Sequence, residues 1–199
     1  MLVKFSVKNF RSFKDKSTLS MIASTRSDDN EYKELNTFDV NENLLPKENT
    51  LIKSATIYGP NASGKSNVLK AIKYMKDAVI LSTAFDVIKH NEPFAFSKET
   101  TPTSFEIEFI KKDIFYNYSF SVLNGMIINE KLSKRIERLT TVFERTNNDL
   151  KITGVNATAQ KFINVLPTVL FLSQANIASD VSMIITSFSP TPARSLSDE

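Results

Sequence analysis

Apolar and polar residues alternate with period two at the start of the chain, where Val3, Phe5 and Val7 are separated by Lys4, Ser6 and Lys8. This spacing predicts a half-buried β-strand. Leu19, Met21 and Ala23 repeat it, so residues 18–23 are expected to form a second strand, paired with the first across the Arg11–Lys16 turn. Residues 24–50 lose the pattern: Asp28, Asp29, Asn30 and Glu31 cluster, Pro46 follows, and a polar surface loop or insertion is expected. A strand is predicted over residues 51–58, running straight into Gly59. Beyond Ser66 the period changes, and Val68, Ile72, Met75 and Val79 mark one face of a helix. Lys70, Lys73 and Lys76 lie on another side of it and are read as a solvated face rather than a phosphate track.

Past Pro93 alternation returns. Phe105, Ile107 and Phe109 form one run, and Ile114, Tyr116, Tyr118, Phe120 and Val122 form a longer one. Asn124-Gly125 then precedes Met126-Ile127-Ile128, a strong hairpin signal because both turn residues tolerate positive φ. A further strand is expected over Arg138–Arg145, with Asn147-Asn148-Asp149 turning into residues 150–153. The stretch 93–153 is therefore predicted to be an antiparallel β-meander. Residues 157–165 are expected to be a short helix and 168–172 a buried strand or helix start, and 174–199 is expected to be an irregular tail.

Composition adds limits rather than a function. The chain has 199 residues, 41% hydrophobic and 24% charged, the balance of an ordinary globular domain, and no apolar run approaches the ~18 residues needed to cross a bilayer. A cytoplasmic location is the expectation. There is no cysteine, which excludes disulfides and thiolate metal sites. The one histidine, His90, has no second histidine for a metal pair and is read as a loop residue. A net charge of +3 and a pI near 9.0 permit nucleic-acid contact without requiring it. The fifteen phenylalanines fall mostly at alternating positions, where packing accounts for them better than base stacking does.

The chemistry lies in residues 59–66, Gly59-Pro60-Asn61-Ala62-Ser63-Gly64-Lys65-Ser66, followed by Asn67. The pattern Gly-x-x-x-x-Gly-Lys-Ser between a strand and a helix is a phosphate-binding loop, in which inward-turned backbone amides cradle phosphate oxygens. Gly59 allows a sharp exit from the strand and Gly64 a close approach to phosphate, while the helix N-terminus adds free amides and a positive dipole end. Lys65 is the expected contact to the β- and γ-phosphates and the candidate catalytic residue. The Ser66 hydroxyl is the expected magnesium ligand. ATP and Mg2+ are the implied ligands.

Lys-Asn-Phe-Arg-Ser-Phe at 8–13, together with this loop, resembles the ABC-type AAA family ATPases, whose relatives include RecF, SMC proteins and OLD-type ATPases. Thr-Leu-Ser-Met-Ile-Ala at 18–23 and Pro-Phe-Ala-Phe-Ser at 93–97 are similar to prokaryotic AAA ATPases of phage-defence and toxin–antitoxin settings. The resemblance spans roughly residues 1–173. It implies an α/β fold, a P-loop NTPase head of ABC type whose amino-terminal lobe carries an antiparallel β-meander subdomain. It places Arg11, with Ser12 as neighbour, near the bound nucleotide, and Asn61 near the γ-phosphate or an opposing subunit. It also implies a homodimer or larger oligomer whose closure controls an effector such as a nuclease or toxin, or a DNA-processing partner. Gln174 sits in a Ser-Gln-Ala context similar to a magnesium-sensing glutamine loop, although a surface glutamine is the preferred reading.

The family pattern is incomplete in this chain. No apolar run ends in an aspartate with a glutamate beside it: Phe38-Asp39 and Phe85-Asp86 lack the preceding run, and Glu106 and Glu108 alternate within a meander strand. No Leu-Ser-Gly-Gly-type signature occurs, the last glycine being Gly154. The expectation is an amino-terminal lobe, with hydrolysis by the isolated chain in doubt. The alternative is a nucleotide-binding module that supplies half of a composite site. A small-molecule kinase or GTPase is disfavoured, since no lid arginine cluster and no Asn-Lys-x-Asp guanine reader occur.

Overall fold

The structure is a computed structural model that describes residues 1–24, 36–45, 49–61, 63–98, 100–154 and 163–175. Its centre is a seven-stranded antiparallel sheet. The strands are β1 (Leu2–Lys8), β2 (Ser17–Ser20), β5 (Thr103–Lys111), β6 (Ile114–Leu123), β7 (Met126–Arg135), β8 (Leu139–Thr146) and β9 (Asp149–Ile152). They lie in the order β2-β1-β5-β6-β7-β8-β9. Two short strands, β3 (Thr37–Asp39) and β4 (Thr50–Ile52), pair separately. The helix α1 (Lys65–Leu81) covers the apolar face of the sheet, and a one-turn helix α2 (Phe171–Gln174) packs beside it.

Period-two alternation explains the sheet directly. In the cross-strand register, one row of apolar side chains runs through all seven strands: Leu19, Phe5, Ile107, Tyr118, Leu132, Phe143 and Ile152. The residues one step along in each strand point to the opposite face and read Thr18, Ser6, Glu106, Ser119, Lys131, Glu144 and Lys151, which suits water. A one-residue slip would exchange the two rows, so burial fixes the register. Two hairpin turns carry positive φ at both central positions, Asn124-Gly125 and Lys112-Asp113, the twist that matches flanking strands.

Helix α1 presents Ala71, Met75, Ala78 and Val79 to the sheet. Tyr74 stacks on Phe105 with ring centroids 5.1 Å apart and meets Phe10 at 5.7 Å, while Phe105 stacks on Phe120 at 5.2 Å. The phenylalanines of the strands over residues 103–146 are buried, as their spacing implies, whereas Phe85 and Phe96 are exposed. Lys70 and Lys73 face solvent, and Lys73 pairs with Asp77 one turn on.

The meander over residues 103–152 forms as the alternation predicts. It is not a separate unit, however, because β1 pairs with β5 and places the amino-terminal hairpin in the same sheet. Three local expectations change. The second strand stops at Ser20, and Ile22 bridges instead to Leu51. The polar stretch 24–50 contains β3 and two buried leucines, Leu44 and Leu45, which close a small second core with Val3, Leu51, Ile110 and Phe115. The strand expected over 51–58 ends at Ile52. Beyond it residues 54–58 lie outside any strand, and Ile57 and Tyr58 are 40% and 88% exposed. Alternation records a capacity for burial, but among the described residues no strand lies alongside to realise it. Most of the helix expected over 157–165 and most of the tail over 174–199 lie outside the described residues. Residues 168–172 include a helix start, consistent with one of the two forms expected there.

Residues 163–175 are held to the sheet by a buried polar cluster. Glu130 and Arg145 face each other across β7 and β8, each 1% exposed, with Arg145 Nη1 3.6 Å from Glu130 Oε2. Glu130 accepts from the Phe171 amide at 2.7 Å, the Leu172 amide at 2.9 Å and the Tyr118 hydroxyl at 3.0 Å. Arg145 donates to the carbonyls of Asn147, Leu166 and Val169 at 2.7 to 2.8 Å. Burial pushes the Glu130 carboxyl above the ordinary glutamate range despite these donors, and burial lowers the Arg145 guanidinium.

Candidate nucleotide-binding site

The phosphate-binding sequence sits where β4 has ended and α1 begins. Gly64 is the residue before the helix and adopts φ 93 and ψ 3, a left-handed conformation that a side chain resists. No side chain caps the helix N-terminus and its first turn carries no acidic residue, so the first-turn amides and the positive dipole end are directed at the loop without internal compensation. Asn61, Ser63, Gly64, Lys65, Ser66 and Asn67 line an open hollow of about 270 Å³. Six of the expected residues thus share one hollow; Gly59, Pro60, Arg11 and Ser12 are not among those that line it, and Ala62 lies outside the described residues.

Lys65 folds back along the loop. Its Nζ donates to the carbonyl of Gly59 at 2.7 Å and that of Pro60 at 2.6 Å. An ammonium group has three N–H donors, so two brace the loop and a third is left for a phosphate oxygen. The Ser63 amide donates to Pro60 across the turn at 3.3 Å. Ser66 lies at the surface in the first turn of α1 and lines the same hollow. Among the described residues no group of three His, Cys, Asp or Glu is arranged to hold a metal. The donor set fits magnesium carried in by a triphosphate, which draws most of its ligands from phosphate and water.

The turn after β1 packs on this loop. Ser12 Oγ accepts from Asn67 Nδ2 at 2.8 Å, and a Cβ placed on Gly64 would lie 2.8 Å from that same oxygen. Arg11, at φ 48, pairs with Glu92 at 2.5 Å, and its guanidinium lies 5.8 Å from the Phe10 ring. Asn9 anchors the turn from below: it is 1% exposed, and its side chain bonds the Thr101 carbonyl and the Phe94 amide. Sequence reasoning singled out Arg11 and Ser12 but missed Asn9 and Glu92. The left-handed tolerance of asparagine was a signal for the first, whereas nothing local marks the second.

The remaining candidates lie elsewhere. Ser173, next to Gln174, bonds the Val79 carbonyl at the far end of α1, about 20 Å from the loop at 1.5 Å per residue. Gln174 itself is only partly exposed and its Oε1 is buried with no partner among the described residues, so the surface glutamine expected there is not what forms. His90 bonds the Asp86 carbonyl in a turn after α1. Asp39 accepts from Thr50, Asp86 pairs with Lys89, and Glu106 and Glu108 lie on the polar face of the sheet, where Lys16 and Asn117 bond Glu106.

Gly64 offers a sharp test of the loop geometry. In Gly64→Ala the new methyl meets Ser12 Oγ, displacing the acceptor of Asn67, and the backbone stays left-handed at a cost of about 1–2 kcal/mol. Nucleotide affinity is expected to fall about tenfold. An unchanged affinity in calorimetry would show that the loop accommodates a side chain there.

No helix among the described residues is long and apolar enough to cross a membrane. Comparison with curated proteins finds no match. Residues 54–162, more than half of the chain, match the family described as "AAA domain, putative AbiEii toxin, Type IV TA system". The matched segment includes the phosphate loop, α1 and all of β5–β9, and leaves the Arg11 turn outside it. With a glycine-permitted loop, an uncapped helix end and a braced lysine in that segment, the chain belongs to this AAA domain family.

Proposed function

We propose that the chain binds ATP with magnesium through residues 59–67 and acts as an ABC-type ATPase head. The observation that carries this reading is the posture of Lys65, fixed by two loop carbonyls at the start of an uncapped 17-residue helix. In it the loop amides and Lys65 hold the β- and γ-phosphates, Ser66 ligates magnesium, and Arg11 and Ser12 complete the wall on the β1 side. Residues 1–173 serve as one nucleotide-binding lobe. ATP-driven closure of two such heads in a homodimer or larger assembly controls an effector, a nuclease or toxin, or a DNA-processing partner in the cytoplasm. The family description, which names a toxin of a toxin–antitoxin system, is in keeping with such a role.

A second reading is favoured by one feature of the site. Among the described residues none that lines the hollow is acidic, so none of them supplies a carboxylate to orient the attacking water. On that reading the chain binds nucleotide without hydrolysing it and supplies half of a composite site. Calorimetry with ATP, with and without magnesium, beside a phosphate-release assay on the same preparation, separates the two. Magnesium-dependent binding with turnover supports the ATPase head. Binding without turnover supports the binding module, and no binding overturns both.

A further inference from the structure

The turn after β1 and the stretch around Pro93 meet beside the phosphate loop, joined by one arginine and one glutamate. Arg11 Nη2 donates to Glu92 Oε1, and the Arg11 backbone N–H donates to the Glu92 carbonyl at 2.9 Å. The next residue, Ser12, meets the loop at Gly64 and Asn67, so Arg11 is the chain neighbour of a residue that packs on the phosphate loop. Nε and Nη2 form one edge of a guanidinium, with parallel N–H bonds that an oxyanion can take together. Glu92 takes only one of them. Arg11 Nε is shielded from solvent and has no partner among the described residues. The two side chains keep 29% and 56% exposure, so water weakens their attraction and the pair can exchange. A phosphate carries more charge than a carboxylate, and once the side chain swings away from Glu92 it can take both N–H bonds of the edge.

We propose that Glu92 is a positioning residue for the nucleotide site: it holds Arg11 by one N–H and releases the guanidinium to a phosphate oxygen when nucleotide binds. The proposal rests on the reading that the loop binds ATP. Glu92 then competes with the ligand, and its charge sets how tightly ATP is held. The glutamate left behind stays hydrated at the surface, so its release is not opposed by burial.

The test is calorimetric titration of Mg·ATP into wild type, Glu92→Gln, Arg11→Gln and the double variant, with melting temperatures recorded for each. Glu92→Gln is expected to bind about two- to fivefold more tightly, the range that an exposed ion pair accounts for. Arg11→Gln is expected to bind about tenfold more weakly. In the Arg11→Gln background the second substitution is expected to change nothing. An unchanged affinity in Glu92→Gln, a tightening that persists without Arg11, or a lowered melting temperature with unchanged affinity overturns the proposal. Absence of ATP binding by the wild type overturns the nucleotide reading itself, and this proposal with it, so the two failures are distinguishable.

Discussion

Replacing Lys65 by alanine is expected to weaken Mg·ATP binding by roughly 30- to 1000-fold, and to abolish any turnover, without unfolding the chain. Among the described residues the ammonium is the one cation lining the hollow, and charge-assisted contacts to phosphate of this kind contribute roughly 2–4 kcal/mol together. Its two bonds to the carbonyls of Gly59 and Pro60 are exposed, so their loss leaves those carbonyls to water. Stability should therefore change by no more than about 1 kcal/mol. Lys65→Arg gives a finer result. The longer guanidinium holds its donors in one fixed plane, whereas the compact ammonium can rotate to meet two carbonyls and a third acceptor, so most of the affinity is expected to be lost even with the charge kept. Calorimetry beside thermal melting checks both variants. Equal ATP affinity in wild type and Lys65→Ala would show that nucleotide is held elsewhere.

Glu130→Ala is expected to destabilise the fold by roughly 3–5 kcal/mol, lowering the melting temperature by about 10 °C or more. The carboxylate receives two amides and a hydroxyl, and Arg145 stands 3.6 Å away with no exposure to water. Truncation leaves a buried cation and three buried donors without an acceptor. Glu130→Gln should recover little, because both oxygens accept and an amide of either orientation turns an N–H toward a donor. Arg145→Met with Glu130→Leu removes both charges and is expected to be less damaging than either single change. A double-mutant cycle from denaturant unfolding measures this, and additive losses would show that the pair does not act as a unit.

The two halves of the molecule were legible to different degrees, for physical reasons. The phosphate loop is specified by spacing within eight residues, and the β5–β9 meander by alternation with turn residues between, both of them local properties. Glu130 and Arg145 carried a usable signal that went unread. Arg145 stands two residues from buried Phe143, and Glu130 two from buried Leu132, so both fall in the inward phase of their strands. Opposite charges in that phase on neighbouring strands imply a buried pair. Glu92 gave no such signal, since its partner lies 81 residues away and the fold alone brings them together. The strand expected over 51–58 failed differently: a strand needs a neighbour, and a sequence window does not contain one.

That last stretch governs how the loop behaves over time. Residues 54–58 enter the phosphate loop without a ladder to any described strand, while β5, β6 and β7 are paired on both edges. Amide protons of 54–58 should exchange with deuterium within seconds, and those of the central strands over hours or longer. A ligand that orders this entry must overcome lost backbone freedom, so nucleotide association should show an unfavourable entropy offset by enthalpy, and slow deuterium uptake in these five residues. The segment that aims the loop at its ligand is then also the one whose protection factor reports occupancy.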